Sequence, residues 1–476
     1  MTPTPRTGFV RAEGTSLVDD QGPLLLRGVG LGNWLLPEGY MWGFGDDQSS
    51  PRQIEQRIAS LVGPEQAVAF WRRFRDVFIA ERDFALIADA GFDHVRLPIN
   101  ARIVMDESGA FLEEGFALIE RAVAWSEKNG LRILLDLHGA PGGQTGTNID
   151  DSEHGRPELF MDPTFRRHTI ALWEEIARRF RSREAVLGYD LLNEPLPNAW
   201  QHVYNDELVA LYRDLTAAIR AVDDRHLLMY EGSHWATNWL PLAERYDDNQ
   251  ALQFHRYWCP PDETSIDDFL AERRRLGTPI YMGEGGENSP AWIYAATRLY
   301  ERHDIGWNFW PWKKLDTLTS PLSAQAPSGW ELIVDPAATP SAEEAGAILD
   351  GFLDAVAADR CARRQPVLDA LFGRPPLTLP AWAGLHDGGE RSIDEMAGAP
   401  IPDAAWANPE DTGSAAHPIT VALTAGSVLT FALASAPTGW TVHADDARDV
   451  AVTWEEGALV LAATATVAVH GVTVHT

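Results

Sequence analysis

The chain has 476 residues, of which 45% are hydrophobic and 23% charged, a composition typical of globular proteins and a length that allows one large domain and one smaller domain. Its 69 acidic and 39 basic side chains give a net charge of −30 at pH 7. A surface this negative repels phosphate backbones and anionic lipid, so nucleic acid and membrane surfaces are not expected as partners.

The termini and cysteines bear on localisation. The first residues, MTPTPRTGFVRAEG, contain no apolar segment of the kind found in a secretory leader, and no later run is long enough to cross a membrane. Cys259 and Cys361 are too few for a disulfide framework in a chain of this length. These features predict a cytoplasmic protein, or a secreted one whose leader has been removed. The sequence does not indicate an oligomeric state.

Short apolar runs recur along the chain, and a helical pattern usually follows each one. Such alternation is typical of βα units in a parallel sheet. The runs are rich in β-branched residues, leucine and aromatic residues, as expected of strands buried on both faces. Eight strands are predicted, at Leu24–Gly30, His94–Ile99, Arg132–His138, Val186–Glu194, His226–Glu231, Ala251–Tyr257, Pro279–Glu284 and Trp307–Trp312.

Amphipathic segments between these strands predict helices. Phe116–Asn129 repeats apolar residues at helical spacing, and Gly130 stands where a helix commonly ends. Other helices are predicted at Phe165–Arg181, Glu207–Val222, Ala291–His303 and Ser341–Ala358. No GxGxxG phosphate turn follows the first strand, which argues against an open dinucleotide-binding sheet. The alternation therefore predicts a closed α/β barrel, the (β/α)₈ or TIM barrel.

The pattern changes after Phe372. Residues 373–380 are proline-rich, and from His417 onward short runs of Val, Thr and Ala are separated by glycine turns. This pattern predicts a small antiparallel β-sandwich. The predicted domains are a barrel at residues 1–373 and a C-terminal β-sandwich at residues 374–476. The second domain is interpreted as a structural brace, with a carbohydrate-binding module as the alternative.

Polar and aromatic residues gather at the C-terminal ends of the predicted strands, where the active site of such a barrel forms. Any one of them could be a satisfied core residue. Buried charges are costly unless paired, however, so eight such residues at one rim indicate a site. They are Arg96 on strand two, His138 on strand three, Asn193 and Glu194 on strand four, His255 and Tyr257 on strand six, Glu284 on strand seven and Trp310 on strand eight.

Two of these residues, Glu194 and Glu284, face each other across the predicted barrel mouth. Retaining hydrolysis of a glycosidic bond needs two carboxyls about 5–5.5 Å apart, one as acid then base and one as nucleophile. Glu194 is predicted to be the acid/base and Glu284 the nucleophile, with Glu287 as the rival nucleophile. Arg96 and the Tyr257 hydroxyl are expected to lower the pKa of Glu284 and keep it ionised.

The remaining residues at the rim fit a sugar site. Asn193 is expected to hydrogen-bond the sugar 2-hydroxyl, a contact that strengthens in the transition state. His138 and His255 are expected to orient the substrate, and Trp310 to form the floor beneath the cleaved sugar. The chain has 18 tryptophans, and others among them, including Trp34, could also stack on sugar rings.

Several segments between about Leu24 and Lys313 carry a family resemblance. They are RGVGLGNWL at 27–35, VRLP at 95–98, LDLHGAPGGQ at 135–144, LLNEP at 191–195, HRY at 255–257, GEGG at 283–286 and WNFWPWK at 307–313. In these segments the chain resembles glycoside hydrolase family 5, a family of retaining barrel glycosidases. The resemblance places the family's site residues on Arg96, His138, Asn193, Glu194, His255, Tyr257, Glu284 and Trp310.

The motifs are most similar to those of the exo-β-1,3-glucanase branch, which removes terminal sugars. Asp150 and Asp151, in the loop at 142–153, are expected to bind terminal hydroxyls, and the segment Leu36–Gly63 to close one end of the cleft. The chain departs from the pattern at Gly285 and Gly286, where the family usually has an aromatic residue after the nucleophile. Its β-rich tail is also foreign to simple exo-glucanases.

Four functions are weighed. The first is an exo-acting retaining β-glycosidase for a terminal β-linked sugar or a glycoside with an apolar aglycone, which needs a small carbohydrate or glycoside substrate and no cofactor or metal. The second is an endo-acting glucanase or mannanase of the same fold. The third is a metal-dependent hydrolase using His138 and His255, although the chain has no HxH or HxxxH ligand pair. The fourth is a non-catalytic carbohydrate-binding protein, disfavoured by the presence of both glutamates.

Overall fold

The computed structural model describes residues 6–45, 50–387, 391–412 and 419–476. Eight parallel strands form a closed barrel in which each strand pairs with its neighbours in sequence and the eighth pairs with the first. In chain order, barrel strands one to eight are Arg27–Gly30, His94–Asn100, Arg132–Gly139, Val186–Asp190, Leu227–Glu231, Gln250–His255, Ile280–Gly286 and Gly306–Trp310. The predicted (β/α)₈ barrel is confirmed.

Strand four ends earlier than predicted, at Asp190 instead of Glu194. The following residues still bond to both neighbouring strands, because the Leu191 N–H donates to the Met229 carbonyl and the Asn193 N–H to the Leu137 carbonyl, each at 3.1 Å. The backbone then turns sharply, since Glu194 has a φ of 43°. This turn directs the Glu194 side chain into the barrel mouth.

The two ends of the barrel interior differ in polarity. Leu134, Asp136 and His138 alternate along strand three, so they share one face, with the leucine at the lower end and the polar residues at the upper end. At the lower end, Val10 and Leu17 pack against Leu134 and other apolar residues. These two belong to an N-terminal region whose strands are Arg11–Glu13, Ser16–Asp19 and Gly22–Pro23. On this face of strand three, the apolar side chain therefore lies at the lower end, and Asp136 and His138 lie at the upper end, towards the barrel mouth.

Helices surround the barrel. The Ser341 hydroxyl accepts from the Glu344 N–H at 3.2 Å, so the helix predicted from Ser341 begins at Ala342 with that serine as its cap. No helix in the described part of the chain combines the length and apolar character needed to span a membrane. The helices of eight or more residues are Pro51–Val62, Pro64–Val77, Glu81–Ala90, Glu113–Lys128, Pro163–Phe180, Asn205–Arg220, Asp267–Leu276, Pro290–Arg302, Ala342–Ala355 and Gln365–Phe372. Shorter helical turns include Ala101–Val104, Ser233–Ala236, Glu331–Val334, Ile393–Ala397 and Pro409–Thr412.

Two antiparallel sheets follow the barrel, as predicted for the C-terminal region. One sheet joins Leu377–Pro380, Val467–His475, Val421–Leu423 and Gly439–Ala444, and the other joins Leu385–His386, Val428–Ala432, Ala458–Ala463 and Val450–Glu455. Their fully buried side chains include Val421, Leu423, Val469, Val472, Leu429, Phe431, Leu459 and Leu461. His417, the predicted start of this pattern, lies outside the described residues.

The C-terminal region rests on the barrel helix Pro290–Arg302. The Tyr294 hydroxyl donates to the Ala432 carbonyl at 2.9 Å, and Arg298 donates to the Leu371 carbonyl at 2.9 Å. Helix Gln365–Phe372 ends at Gly373, which has a left-handed φ of 61°. The division of the chain into domains at residue 373 stays a prediction.

A close backbone approach yields a stability prediction. A Cβ at Gly115, in helix Glu113–Lys128, would lie 1.8 Å from the Ile103 carbonyl oxygen. Gly115→Ala is therefore expected to lower the free energy of unfolding by about 1–3 kcal/mol, although alanine is the better helix former. Urea denaturation followed by circular dichroism measures the change.

The matched control is Gly346→Ala, in helix Ala342–Ala355, where the nearest atom to the new Cβ would be Gln66 Oε1 at 4.0 Å. Here the free energy of unfolding should rise by up to about 1 kcal/mol. Shifts of the same sign in both variants would contradict the close approach.

Candidate active site

A cavity of about 770 Å³ opens at the C-terminal ends of the barrel strands. Six of the predicted site residues line it: His138, Glu194, His255, Tyr257, Glu284 and Trp310. Arg96 and Asn193 lie directly beneath, fully buried, and hydrogen-bond to Glu284 and His138. The structure therefore brings together all eight residues identified at the strand ends.

The guanidinium of Arg96 is the central cation of the site. Its Nε lies 2.8 Å from Asp190 Oδ2, and its Nη1 donates to Glu284 Oε1. Nη2 contacts three further oxygens: Asn193 Oδ1 at 2.8 Å, Glu231 Oε1 at 3.1 Å and Asp136 Oδ2 at 3.2 Å. Burial alone would lower the pKa of Arg96, but the surrounding carboxylates raise it well above its usual value. Arg96 is therefore a permanent positive charge.

Glu284 is held at both carboxyl oxygens. Oε1 accepts from Arg96, and Oε2 accepts from the Tyr257 hydroxyl at 3.1 Å. The expectation of a lowered pKa is wrong, because the pKa of Glu284 is raised. Burial is the largest cause, Glu194 adds to it, and His255 and Arg96 oppose it. The cation and the donor thus offset only part of the cost of desolvating the carboxylate.

Glu194 enters the cavity from a backbone conformation that non-glycine residues rarely adopt, with φ 43°. Its N–H donates to Glu231 Oε2 at 2.7 Å, which holds this turn in place. Its Oε1 lies 2.7 Å from His255 Nδ1. Burial opposes a charge on His255, but Glu231, Glu284 and Glu194 raise its pKa well above the usual value. These carboxylates therefore favour the charged form of His255, and its Nδ1 is placed to hydrogen-bond Glu194.

Glu194, His255 and Glu284 converge on one point. Each offers one carboxylate oxygen or ring nitrogen, and these atoms lie within 4.8 Å of one another. His138 is not part of this group, since its Nδ1 is paired with Asp136 at 2.7 Å. The arrangement of the two histidine rings therefore gives no support to a metal site built on His138 and His255.

His138 is the uncharged histidine of the site. Burial lowers its pKa to about 4. Its Nδ1 faces Asp136, so its Nε2 accepts from the Asn193 amide at 3.3 Å. Gln144 donates to the backbone carbonyls of His138 and Asn193, at 2.6 and 3.0 Å. The glutamine of the DLHGAPGGQ segment thus ties strand three to the end of strand four.

Carboxyl groups outnumber cations beneath the cavity. Burial raises the pKa of Asp136 to about 8, even though Arg96 opposes the shift, and it raises the pKa of Asp190 well above the usual value. The pKa of Glu231 is lowered despite burial, because His255 and Arg96 stabilise its charge. Burial therefore favours the neutral form of Asp136 and Asp190, whereas the nearby cations favour the charged form of Glu231.

Trp310 forms one wall of the cavity. Its Nε1 donates to the Tyr40 hydroxyl at 3.1 Å, and its ring lies nearly parallel to that of His138, with centroids 5.4 Å apart. The indole packs directly on Gly30 and Gly32, where a Cβ would lie 2.5 and 2.4 Å from ring carbons. The glycines of the RGVGLGNWL segment are thus needed for this ring to occupy its position.

Trp34 does not reach the cavity. It is buried, its Nε1 donates to the Arg75 carbonyl at 2.9 Å, and its ring stacks on Trp125 with centroids 6.3 Å apart. The prediction that Trp34 stacks on a sugar is therefore corrected to a core role. The residue follows strand one, but its side chain turns outward into the helical layer.

Asp150 and Asp151 also lie outside the cavity lining. Asp150 accepts from the backbone N–H groups of Thr145, Gly146 and Ser152, at 2.7, 3.1 and 3.0 Å. Asp151 is paired with Arg102 and accepts from the Asn100 amide at 3.0 Å. Asp150 thus shapes its own loop, and Asp151 ties that loop to Asn100 and Arg102 at the end of strand two, so the expectation that they bind terminal sugar hydroxyls is not supported; Asn148 and Ile149 line the cavity instead.

Other cavity residues escaped the sequence analysis. Tyr40 and Lys314 follow strands one and eight, and Asn408, Glu410 and Asp411 come from the C-terminal region. The sequence offered one indication that Tyr40 lies at the site. It follows Glu38 by two residues in the segment Leu36–Gly63, which was expected to close one end of the cleft. Residues 408–411 had no such indication, because they are far from the barrel in sequence and lack any strand pattern.

A closed (β/α)₈ barrel with two facing carboxyls at its mouth defines a glycoside-hydrolase type of architecture. The family model described as cellulase, glycosyl hydrolase family 5, matches residues 59–316, which is more than half of the chain. The chain therefore belongs to glycosyl hydrolase family 5.

Two named relatives each match more than half of the chain. A beta-xylosidase from Phanerodontia chrysosporium is 32% identical over 276 residues, which cover 56% of this chain and 56% of that protein. A probable glucan 1,3-beta-glucosidase A from Aspergillus niger is 28% identical over 289 residues, covering 58% of this chain and 68% of the relative. The chain thus spans little more than half the length of the first relative.

Solved structures share the fold. An endogalactoceramidase structure matches with a TM-score of 0.54 and 19% identity, covering 98% of this chain and 100% of that chain. A structure titled AoRut matches with a TM-score of 0.51 and 18% identity, covering 61% of this chain and 89% of that chain. At such low identity these likenesses establish the architecture alone.

The packing of Trp310 on glycine gives a testable prediction. Gly32→Ala cannot keep the indole in place, since its Cβ would lie 2.4 Å from the ring. Displacing this wall should lower kcat/KM on aryl β-glycosides by about tenfold or more, as expected for a misplaced binding group. Steady-state kinetics measures the loss.

Gly45→Ala is the control, because an added Cβ at this exposed glycine would meet no atom of the described residues within 4 Å. Its kinetics should match those of the wild type. Equal activity of Gly32→Ala and wild type would show that Trp310 does not shape substrate binding.

Proposed function

We propose that this cavity hydrolyses a β-glycosidic bond with retention of configuration, with Glu284 as nucleophile and Glu194 as acid/base. The observation that carries the proposal is the approach of the two carboxyls, which offer oxygens within 4.8 Å of each other. Retaining glycosidases have carboxyls about 5–5.5 Å apart, whereas inverting enzymes need about 6.5–9.5 Å to admit a water molecule.

In the first step a Glu284 oxygen attacks the anomeric carbon while Glu194 donates its proton to the departing glycosidic oxygen. The bond to the leaving group breaks, and a glycosyl ester of Glu284 forms. In the second step Glu194 removes a proton from water, which attacks the anomeric carbon and releases Glu284. Arg96 and Tyr257 hold the nucleophile in line, because each contacts a different oxygen of its carboxyl.

The neighbouring carboxyls are less suited to these roles. Glu287 is ion-paired with Lys314 at 2.8 Å and makes no contact with Arg96 among the described interactions. Glu231 uses one oxygen for Arg96 and the other for the N–H of Glu194. Glu194 and Glu284 therefore remain the pair whose oxygens share the open cavity.

The electrostatics of the site favour a cationic transition state. Cleavage of a glycosidic bond develops positive charge on the sugar ring. Buried carboxylates around the cavity stabilise such a charge strongly, because little water screens them. His255 lies between Glu194 and Glu231, and its contact with Glu194 Oε1 keeps the acid/base oriented.

We infer that the enzyme is exo-acting. Three segments line the same cavity: Glu38 and residues 40–43 after strand one, residues 314–316 after strand eight, and Asn408 with residues 410–411 of the C-terminal region. Strands one and eight are neighbours in the barrel, so their loops stand together and can close one end of the cavity. Glu38 Oε1 is buried without a hydrogen-bond partner in the described part of the chain, which suits an acceptor for a terminal sugar hydroxyl. Residues 46–49 of the segment expected to close the cleft lie outside the described residues.

The names of two relatives support a proposal for the substrate class. One is named a glucan 1,3-beta-glucosidase and another a beta-xylosidase, and both names describe action on β-linked neutral sugars. We propose a terminal β-linked, glucose-like sugar as the glycone. An endo-acting glucanase of the same fold is the second candidate, favoured by the relative from Acetivibrio thermocellus named endoglucanase C, which is 31% identical over 199 residues.

Substrates with different leaving groups distinguish the role of Glu194 from that of Glu284. Glu194→Ala should lower kcat/KM by about 10²–10⁴-fold on alkyl glycosides, whose leaving groups need a proton, and far less on dinitrophenyl glycosides. Glu284→Gln should abolish turnover of both, because no ester intermediate can form. Steady-state rates on the two substrate types measure the contrast.

Azide provides an independent check of the same assignment. With azide, Glu194→Ala should give the β-glycosyl azide from its glycosyl ester, and Glu284→Ala should give the α-glycosyl azide by direct attack. Proton NMR of the products distinguishes the anomers. The opposite pairing of variants and anomers would reverse the roles of the two glutamates.

The mode of action has its own test. With a β-linked glucan oligosaccharide labelled at the reducing end, we expect early release of single sugars from the unlabelled end, because the cavity accepts a chain terminus. Chromatography of the first products measures this. Mid-chain fragments among those products would instead favour the endo-acting candidate.

A further inference from the structure

An ion-pair chain crosses the wall of the cavity. Lys314 Nζ lies 2.8 Å from Glu287 Oε1 and 3.1 Å from Glu410 Oε2. Glu287 follows strand seven, Lys314 lies in the short strand Lys313–Leu315 after strand eight, and Glu410 belongs to the C-terminal turn Pro409–Thr412. All three line the cavity. The mechanism proposed above uses none of them.

Glu410 is also held by hydrogen bonds from residues other than Lys314. Its Oε1 accepts four hydrogen bonds: from the Thr317 hydroxyl at 2.5 Å, the Leu318 N–H at 2.6 Å, and the Thr319 N–H and hydroxyl, each at 3.0 Å. Its other oxygen is left for Lys314. Burial would raise the pKa of Glu410, but Lys314 and these donors lower it, so the carboxylate stays charged.

Lys314 is held as a cation inside the wall. Its side chain is only 8% exposed, a burial that would be costly without paired charges. Burial opposes its charge, but Glu287 and Glu410 raise the pKa of Lys314. An ammonium has three N–H donors, and the two carboxylates occupy two of them. Among the described residues no third acceptor bonds this ammonium, so one donor is available to a group in the cavity that Lys314 lines.

The position of Lys314 relates it to the sugar site. Its Nζ lies 4.9 Å from the centre of the Tyr40 ring, and the Tyr40 hydroxyl accepts from Trp310. Tyr40 thus connects the Lys314 ammonium to the indole of Trp310, which forms one wall of the cavity. Sugar hydroxyls accept readily from charged donors, and such bonds are stronger than those between neutral groups.

The segment that carries Glu410 has separate attachments to the barrel. Asn288 donates to the Trp406 carbonyl at 2.7 Å, and the Trp406 ring packs edge-on against Trp382 with centroids 5.3 Å apart. Asp262 accepts from the Ile393 N–H at 2.8 Å. Removing the charge of Glu410 therefore leaves the segment docked.

We propose that Lys314 is a substrate-binding residue that donates to a hydroxyl of the terminal neutral sugar, and that Glu410 is its positioning residue. The C-terminal region would then complete the active site. The assignment rests on the proposed glycosidase function of the cavity.

Glu410→Gln tests the positioning role, since glutamine keeps an oxygen for the four donors and removes the charge. With nitrophenyl β-glucoside as the probe, KM should rise about tenfold, the loss expected for one charge-assisted hydrogen bond, while kcat changes little. Asp403→Asn is the matched control, because Asp403 is an exposed acid in the same segment, outside the cavity. Its KM should equal that of the wild type.

Lys314→Met tests the binding role from the other end and leaves the Glu410 loop contacts in place. Monodeoxy analogues of nitrophenyl β-glucoside should separate binding from structure, because one analogue lacks the hydroxyl that Lys314 binds. For that analogue, wild type and Lys314→Met should have equal kcat/KM, whereas the other analogues should keep the full difference between the two proteins.

Two results would overturn the proposal. One is an unchanged KM in Glu410→Gln, and the other is an equal loss in Lys314→Met on every deoxy analogue. If the wild type hydrolyses the aryl β-glycoside, neither result contradicts the proposed glycosidase function. A wild type that hydrolyses no aryl β-glycoside overturns the function itself.

Discussion

The site depends on one buried cation and the carboxyls around it. Arg96 contacts side chains from barrel strands three, four, five and seven, so a single guanidinium sets the spacing of the upper barrel interior. Without it, several buried carboxylates would face each other unpaired, which is strongly destabilising in a dry interior. The same contact fixes Glu284 at the cavity floor and orients Asn193 beside it. The charge of Arg96 therefore both stabilises the barrel interior and positions the residues of the proposed reaction.

Throughout this site, burial disfavours the charged form of the carboxyl groups, and contacts with cations favour it. Burial raises the pKa values of Asp136, Asp190 and Glu284, whereas His255 and Arg96 lower the pKa of Glu231. The two glutamates of the proposed mechanism consequently sit in different surroundings: one between a guanidinium and a phenol, the other beside a histidine. Such unequal environments let two identical side chains take different roles in one reaction.

The wall of the cavity is assembled from distant parts of the chain. Glycines after strand one make room for the indole of strand eight, and the indole in turn bonds to Tyr40. Lys314 touches the ring of Tyr40 and reaches Glu410, which lies 96 positions further along the chain. Residues of the barrel and of the C-terminal region therefore line one cavity. The role proposed for Lys314 and Glu410 would give the C-terminal region more than the bracing role predicted from its sequence.

The sequence alone determined the barrel and the eight residues at its rim, because buried parallel strands have a recognisable apolar pattern and all end at the same edge of a closed sheet. Loop residues follow no such period. Only the tertiary structure decided that Trp34 and Asp150 turn away while Tyr40, Lys314 and Glu410 turn inward. It also decided the pKa of Glu284, since a sequence shows which charges can pair but not how deeply folding buries them.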